Sequence, residues 1–289
     1  MKSVALLCCG LFLASSLFAQ MEIPQRSPKA SVSLRVGLTD VSVEYSSPAV
    51  AKRAIWGYLV PFDKVWRAGA NQATNIVFGT DVTIGDAKIS RGRYALFLIP
   101  KNGNTWTAVI NSDFSQWGTY QYSEAKDLVR IDVKVDVLVK PTERLKFEIE
   151  EKGLEQGAIV FEWERKRVTI PFTMETMKMA LANIDKGIKD TKEEDKVWAH
   201  GEAAEFLLLN DGDLALATTH IEESIKLKPN VWSYWIQARI LAKKGDTKGA
   251  LAAADKAKEV STTDKDETSY YQSIEKEIAT QVAIWKRKK

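Results

Sequence analysis

The residues best suited to chemistry fall in two stretches. The first runs Arg53-Ala54-Ile55-Trp56-Gly57, Leu59-Val60-Pro61 and Val65-Trp66-Arg67-Ala68-Gly69-Ala70-Asn71. Indole rings there can stack on a planar or sugar-ring ligand, while Arg53, Arg67 and Asn71 supply directed hydrogen bonds. The same residues would also serve as a long β-connection whose tryptophans plug one end of a core and whose arginines satisfy loop carbonyls, the commoner use of such side chains. The second stretch, Asn111 to Tyr122, is polar, aromatic and non-periodic. Folded over the same end of a β scaffold, the two would bring Arg67, Asn71, Gln116, Trp117 and Tyr122 to one concavity.

Other chemistries are poorly supplied. The only histidines, His200 and His220, lie near the C-terminal end, and both cysteines, Cys8 and Cys9, lie in the leader. A Ser-His-Asp or Cys-His arrangement, or a His-based metal centre, is therefore excluded from the β region, and no cofactor or metal is expected. Asn210-Asp211-Gly212-Asp213 has the look of a calcium loop, yet Ile221 stands at the closing twelfth position. A helix-hairpin turn with Asp213 as cap fits better. Asp63, Asp113 and Asp127 lie near the loop stretches, and a carboxylate pair is all that glycoside hydrolysis needs.

Elements that could position these residues follow from periodicity. Residues 1–19 read as an export signal: Lys2, then the apolar run Val4–Phe18, then Ala19 before Gln20. Cleavage would leave a chain without cysteine, periplasmic or extracellular in a bacterium, with no membrane span. Residues 20–29 form an extended segment. Over 30–172 the period is two, with strands expected at 31–36, 40–45, 75–82, 82–84, 87–89, 93–99, 105–110, 129–139, 145–150, 158–163 and 167–172. Turns at Gly85-Asp86 and Asn102-Gly103 separate hairpin arms. The pattern predicts an all-β sandwich or jelly roll.

After Pro171 the period becomes 3.6, and 173–289 reads as helical hairpins, with Met174, Met177, Ala180, Leu181 and Ile184 on one helix face. Leu208, Asn210-Asp211-Gly212-Asp213, Ala217, Ile221 and Ser224 recur, 33 positions on, as Leu241, Lys243-Lys244-Gly245-Asp246, Ala250, Ala254 and Ala257. This region resembles tetratricopeptide repeats. Such arrays present a groove to peptides, which makes a protein partner an expectation. Trp198, Trp232, Tyr234 and Trp235 either line that groove or fill helix seams; Trp232 and Trp235, three apart, are expected on one face. The 41 basic and 38 acidic residues give a net charge of +3, without the one-sided basic surface that nucleic acid requires.

Several runs in the β region belong together: Gln25-x-Ser27-Pro28-x-Ala30, Glu44-Tyr45-Ser46-x-Pro48, Arg53-x-Ile55-x-Gly57, Leu59-Val60-Pro61, Val65-Trp66-Arg67-x-Gly69-Ala70-Asn71, Gly92-x-Tyr94-x-Leu96-Phe97-x-Ile99-Pro100, Gln116-Trp117-Gly118 and Trp163. Over Gln25–Phe172 the chain resembles the domain-of-unknown-function 2911 family of secreted bacterial proteins. In that family an acidic residue often follows the asparagine; here Gln72 stands there. The resemblance implies a fold neighbourhood and an extracytoplasmic location, not a mechanism. Three functions follow as expectations: a non-enzymatic binding module for a glycan or other small polar ligand, a carbohydrate-active hydrolase using paired carboxylates, and a structural or assembly protein acting through its helices.

Overall fold

A computed structural model describes residues 23–263 and 265–287; the export signal expected over residues 1–19, with Cys8 and Cys9, lies outside them. Among the described residues nine antiparallel strands form one strongly folded sheet: β1 (Lys29–Val36), β2 (Thr39–Ser46), β3 (Thr74–Phe78), β4 (Val82–Ile84), β5 (Ala87–Ile89), β6 (Gly92–Ile99), β7 (Thr105–Asn111), β8 (Asp127–Gly153) and β9 (Gln156–Thr173). Their order is β1-β2-β3-β6-β7-β8-β9-β4-β5. The long strand β8 makes two layers out of it. Residues 127–134 pair with β7, and the remainder pairs with β9. Between Val137 and Lys146 the β8–β9 register shifts twice, Glu164 opposite takes a positive φ of 54°, and the hairpin bends over the first layer. Segment 47–50 meets it there: Val50 N–H donates to Glu143 O at 2.7 Å and Leu145 N–H to Pro48 O at 3.0 Å.

Alternation of side chains sends one face of each layer inward. In β2 the odd positions Val41 and Val43 are buried, with Ile76 and Phe78 in β3, Leu96 and Leu98 in β6, and Phe161 and Trp163 in β9. Four tryptophans meet in this core. Trp56 lies 4.6 Å from Trp106 between ring centroids, and Trp66 is stacked on Trp163 at 5.8 Å and 18°. A smaller cluster of Ala73, Ala95, Phe97 and Val109 lies on the opposite face of the first layer, with Val65 and Tyr122 packed against it.

Four expectations are revised. The strand expected over 75–82 ends at Phe78, because the chain leaves the first layer at Gly79 and joins the second at Val82. The four segments over 129–172 are two continuous strands, their breaks in pattern marking bulges rather than ends. Met174 does not share a helix face with Met177. It is buried in the β core, and its N–H donates to Glu155 O at 3.0 Å. Trp232 and Trp235 enter separate helix seams, the former against Trp198 and the latter against Trp285.

The helical region contains α1 (Thr176–Asp190), α2 (Lys196–Leu209), α3 (Leu214–Leu227), α4 (Val231–Lys243), α5 (Thr247–Val260) and α6 (Lys265–Arg287). Helix α1 starts on the β domain. The Glu155 carboxylate accepts the Met177 N–H at 2.9 Å, satisfying one of the orphan donors of the first turn. The hairpin tip at Gly37 packs so closely that a Cβ there would come within 2.6 Å of both Leu154 O and Thr176 Oγ1. Turns of the same design open α3 and α5. The Asp213 carboxylate accepts from the Ala215 and Leu216 amides, and Asp246 accepts from Gly249. The repeated small positions Ala217, Ala250, Ala254, Ser224 and Ala257 are buried where neighbouring helices approach. No helix among the described residues is long and apolar enough to cross a membrane.

His200 and His220 meet with their Nδ1 atoms 3.0 Å apart, so one donates to the other and at least one is neutral. Burial pushes both imidazoles below their ordinary value, and for His220 the neighbouring His200 adds to the effect. The unfolded chain thus takes up protons first as pH falls through about 6.5, and stability declines from there until the folded state also protonates. The melting temperature is expected to drop between pH 7 and pH 5, and His220→Gln to flatten that part of the curve. Parallel curves for the two proteins would show that the pair contributes nothing.

Candidate functional site

The connection from Ser46 to Thr74 is held by what it buries. Ile55, Val60, Trp66 and Ala68 all enter the main core. Trp66 exchanges backbone hydrogen bonds with Leu98, 2.8 Å each way, and its indole N–H donates to Gly69 O at 3.2 Å. Beyond it the chain turns sharply: Ala68 and Asn71 both have positive φ, 51° and 58°. An asparagine tolerates that conformation, whereas an alanine there costs about 1–2 kcal/mol. Thr74 Oγ1 donates to Ala68 O at 3.0 Å and secures the turn.

The second loop zips onto the first. Gly118 N–H donates to Asn71 O and Ala73 N–H to Gln116 O, each at 3.0 Å, and Gln72 pairs with Trp117 as a short antiparallel bridge. Gln116 is fully buried, its amide donating to Asn111 Oδ1 at 3.1 Å and to Asp113 O at 2.8 Å. Its neighbour Trp117 faces outward and is 58% exposed. The N-terminal segment supplies the other wall. Ser47 N–H donates to Pro28 O at 2.9 Å, and Asn71 Nδ2 reaches Ser27 O and Ser46 Oγ at 3.4 and 3.3 Å.

Between these walls lies an open cleft of about 930 Å³, lined among others by Gln25, Arg26, Lys29, Asn71, Gln72 and Trp117. Its charged lining is cationic. A second hollow of about 410 Å³ shares Lys29, Ser46 and Gln72 with it and continues along β1, β2 and β3 past Glu44. Glu44 is engaged bidentately by Arg93 at 2.7 and 2.9 Å, which lowers its pKa.

The structure divides the residues singled out in the sequence. Asn71 and Trp117 share the cleft. Gln116 lies behind Trp117 as a buried brace. Trp66 is a core residue, only 8% exposed. Arg67 is half-buried, its Nε enclosed and without a hydrogen-bond partner among the described residues. Burial pushes its guanidinium below the ordinary value, an effect that nearby Tyr120 opposes. Arg53 folds onto its own turn, donating to Val50 O at 3.0 Å and to Ala49 O, and does not line the cleft. Tyr122 belongs to a polar knot: its hydroxyl donates to Asp127 Oδ2 at 2.6 Å and accepts from Arg130 at 2.7 Å. Burial, then the bond to Asp127, pushes that phenol up to about 12. The segment Gln25–Lys29 was not given a role in the sequence. The run Gln25-x-Ser27-Pro28 was its one signal.

With this geometry in place, the comparisons are brief. The family model described as "Protein of unknown function (DUF2911)" matches residues 27–172. The chain belongs to this family. No curated protein and no solved structure matches the chain. The matched stretch contains Asn71, Gln72, Trp117 and the Ser27–Lys29 wall, so most of the cleft is built from the family's own segment.

Two of the three candidate carboxylates are committed elsewhere. Asp127 accepts from Asn111, Tyr122 and Arg130. Asp113 is held below the usual carboxylate range, first by its bond from Lys126 and then by Ser115, whereas a glycosidase acid needs a raised value. Asp63 is exposed. Among the described residues no group of three or more His, Cys, Asp or Glu is placed to hold a metal.

The knot around Asp127 is a brace, so its loss is expected to appear in stability. Tyr122→Phe removes one hydroxyl and should cost about 1 kcal/mol in urea unfolding. Asp127→Ala leaves Asn111 and Arg130 without their shared acceptor and should cost about 2–4 kcal/mol. Equal and negligible losses would contradict the bracing role.

Proposed function

We propose that this protein is an exported, non-enzymatic binding module whose β domain takes up a small polar ligand of glycan type in the cleft beside Trp117. One observation carries the reading: a large aromatic ring, 58% exposed, stands at the edge of an open cleft beside amide and cationic side chains, on a backbone fixed by paired hydrogen bonds. An exposed indole normally buries itself; one carried on a fixed backbone offers a flat face to a sugar ring. Asn71, Gln72 and Gln25 supply amide donors and acceptors for hydroxyl groups. Arg26 and Lys29 favour a ligand with acidic substituents, and the adjoining hollow gives room for more than one sugar unit. Export follows from the leader pattern of residues 1–19 and agrees with a ligand from the cell envelope.

The hydrolase reading finds less support, because Asp113 and Asp127 are tied to cations. Titrating the purified protein with neutral and acidic envelope oligosaccharides, followed by calorimetry, tests the proposal. Saturable binding is expected, strongest for an acidic glycan, and weakened about tenfold by Trp117→Ala. Trp117 is mostly exposed, so that variant should stay folded. Binding to no glycan, or equal binding by the variant, would overturn the reading.

A further inference from the structure

A further cavity lies on the helical region, built from the first two turns of three helices. Its volume is about 400 Å³, and it is lined by Trp198 and Glu202 of α2, Asn230 and Trp232 at the start of α4, and Asp266, Glu267 and Tyr270 of α6. The two indole rings stand 5.9 Å apart, inclined at 36°. Trp198 is 41% and Tyr270 38% exposed. The arrangement depends on Gly201: a Cβ at that position would come within 2.2 Å of the Trp232 ring. The missing side chain lets Trp232 lie directly against α2.

The walls combine two kinds of attraction for a cation. Aromatic faces attract positive charge through their quadrupoles, most strongly for Trp. Glu202, Asp266 and Glu267 add three carboxylates, and among the described residues no basic side chain lines the cavity. Glu267 also accepts the Val231 N–H at 2.7 Å, which offsets the positive end of α4. The Asn230 side chain accepts from Ser233 N at 2.8 Å, so that helix end is already capped. Burial first, then Glu205 and Glu277, pushes the Tyr270 phenol up, an effect that Arg239 opposes.

We propose that this aromatic and acidic cavity receives an arginine or lysine side chain from an extended segment of a partner polypeptide. Charge complementarity selects the cation, and the cavity accommodates one long side chain rather than a folded surface. It is separate from the glycan cleft, since no residue is shared between them.

The test uses the purified protein and three blocked pentapeptides, Gly-Ser-X-Ser-Gly with X as arginine, citrulline or glutamate, plus arginine amide alone. Binding is followed by the indole N–H resonances of Trp198 and Trp232. The arginine peptide is expected to bind about tenfold more tightly than the citrulline peptide and to weaken as salt is raised. Glu202→Gln with Asp266→Asn, exposed changes that leave every ring in place, should reduce affinity about tenfold. Trp198→Ala should abolish the response. Equal binding of arginine and citrulline peptides, full binding by the double variant, or no shift of either indole would overturn the proposal. Arginine amide binding as tightly as the peptide would overturn the polypeptide as occupant.

Discussion

The insertion of Trp66 into the β core is the interaction on which the walls of the cleft depend. Its ring lies flat on Trp163 and edge-on to Trp56 and Phe161. Burying a side chain of that size is worth about 4–6 kcal/mol as an upper bound. That outweighs the strain of about 1–2 kcal/mol at the left-handed Ala68 two residues later. Because Trp66 is fixed, the next six residues have little freedom. Asn71 must turn outward, and its carbonyl and the Gln72 backbone become the template on which Gln116–Gly118 are laid. The exposed Trp117 is therefore a consequence of the buried Trp66. One tryptophan organises the loop, and the other presents a surface.

A similar economy joins the two regions. The β8–β9 turn supplies Glu155, whose backbone and side chain bind the first amides of the helical segment, while Met174 plugs the β core. There is no linker between Thr173 and Thr176, so the helices grow directly from the sheet. Their small buried residues allow close approach, and the same closeness at Gly201 creates the space in which Trp232 and Trp198 face each other.

Much of this was legible in the sequence because period-two alternation and Asp-capped helical repeats are local signals. The hairpins at Gly85 and Gly103 and the alternation of β1 and β2 depend on residues close in sequence, and the 33-residue offset shows as a direct recurrence of residue types. What was not legible depends on long-range placement. Val137–Lys146 loses alternation in the same way whether a strand ends or bends, and only its pairing with Glu162, Glu164 and Lys166 shows that it bends. Composition marked Trp66 and Trp117 alike as aromatic residues beside polar ones. Which one is buried is decided by register: Trp66 lies opposite Leu98 and points to the core, whereas Trp117 lies opposite exposed Gln72. The role of the Gln25–Lys29 wall was hidden for a simpler reason, since an extended segment has no period and acquires meaning only where it docks.

Hydrogen exchange in Trp66→Leu, a variant that keeps an apolar side chain in the core, tests the dependence of the cleft on this one residue. The amides of Ala73 and Gly118, which bond across the two loops, should lose protection by about tenfold or more, while those of β6 and β7 keep theirs. Unchanged protection at Ala73 and Gly118 in a folded Trp66→Leu protein would contradict the account, because the cleft would then be held by its own loops alone.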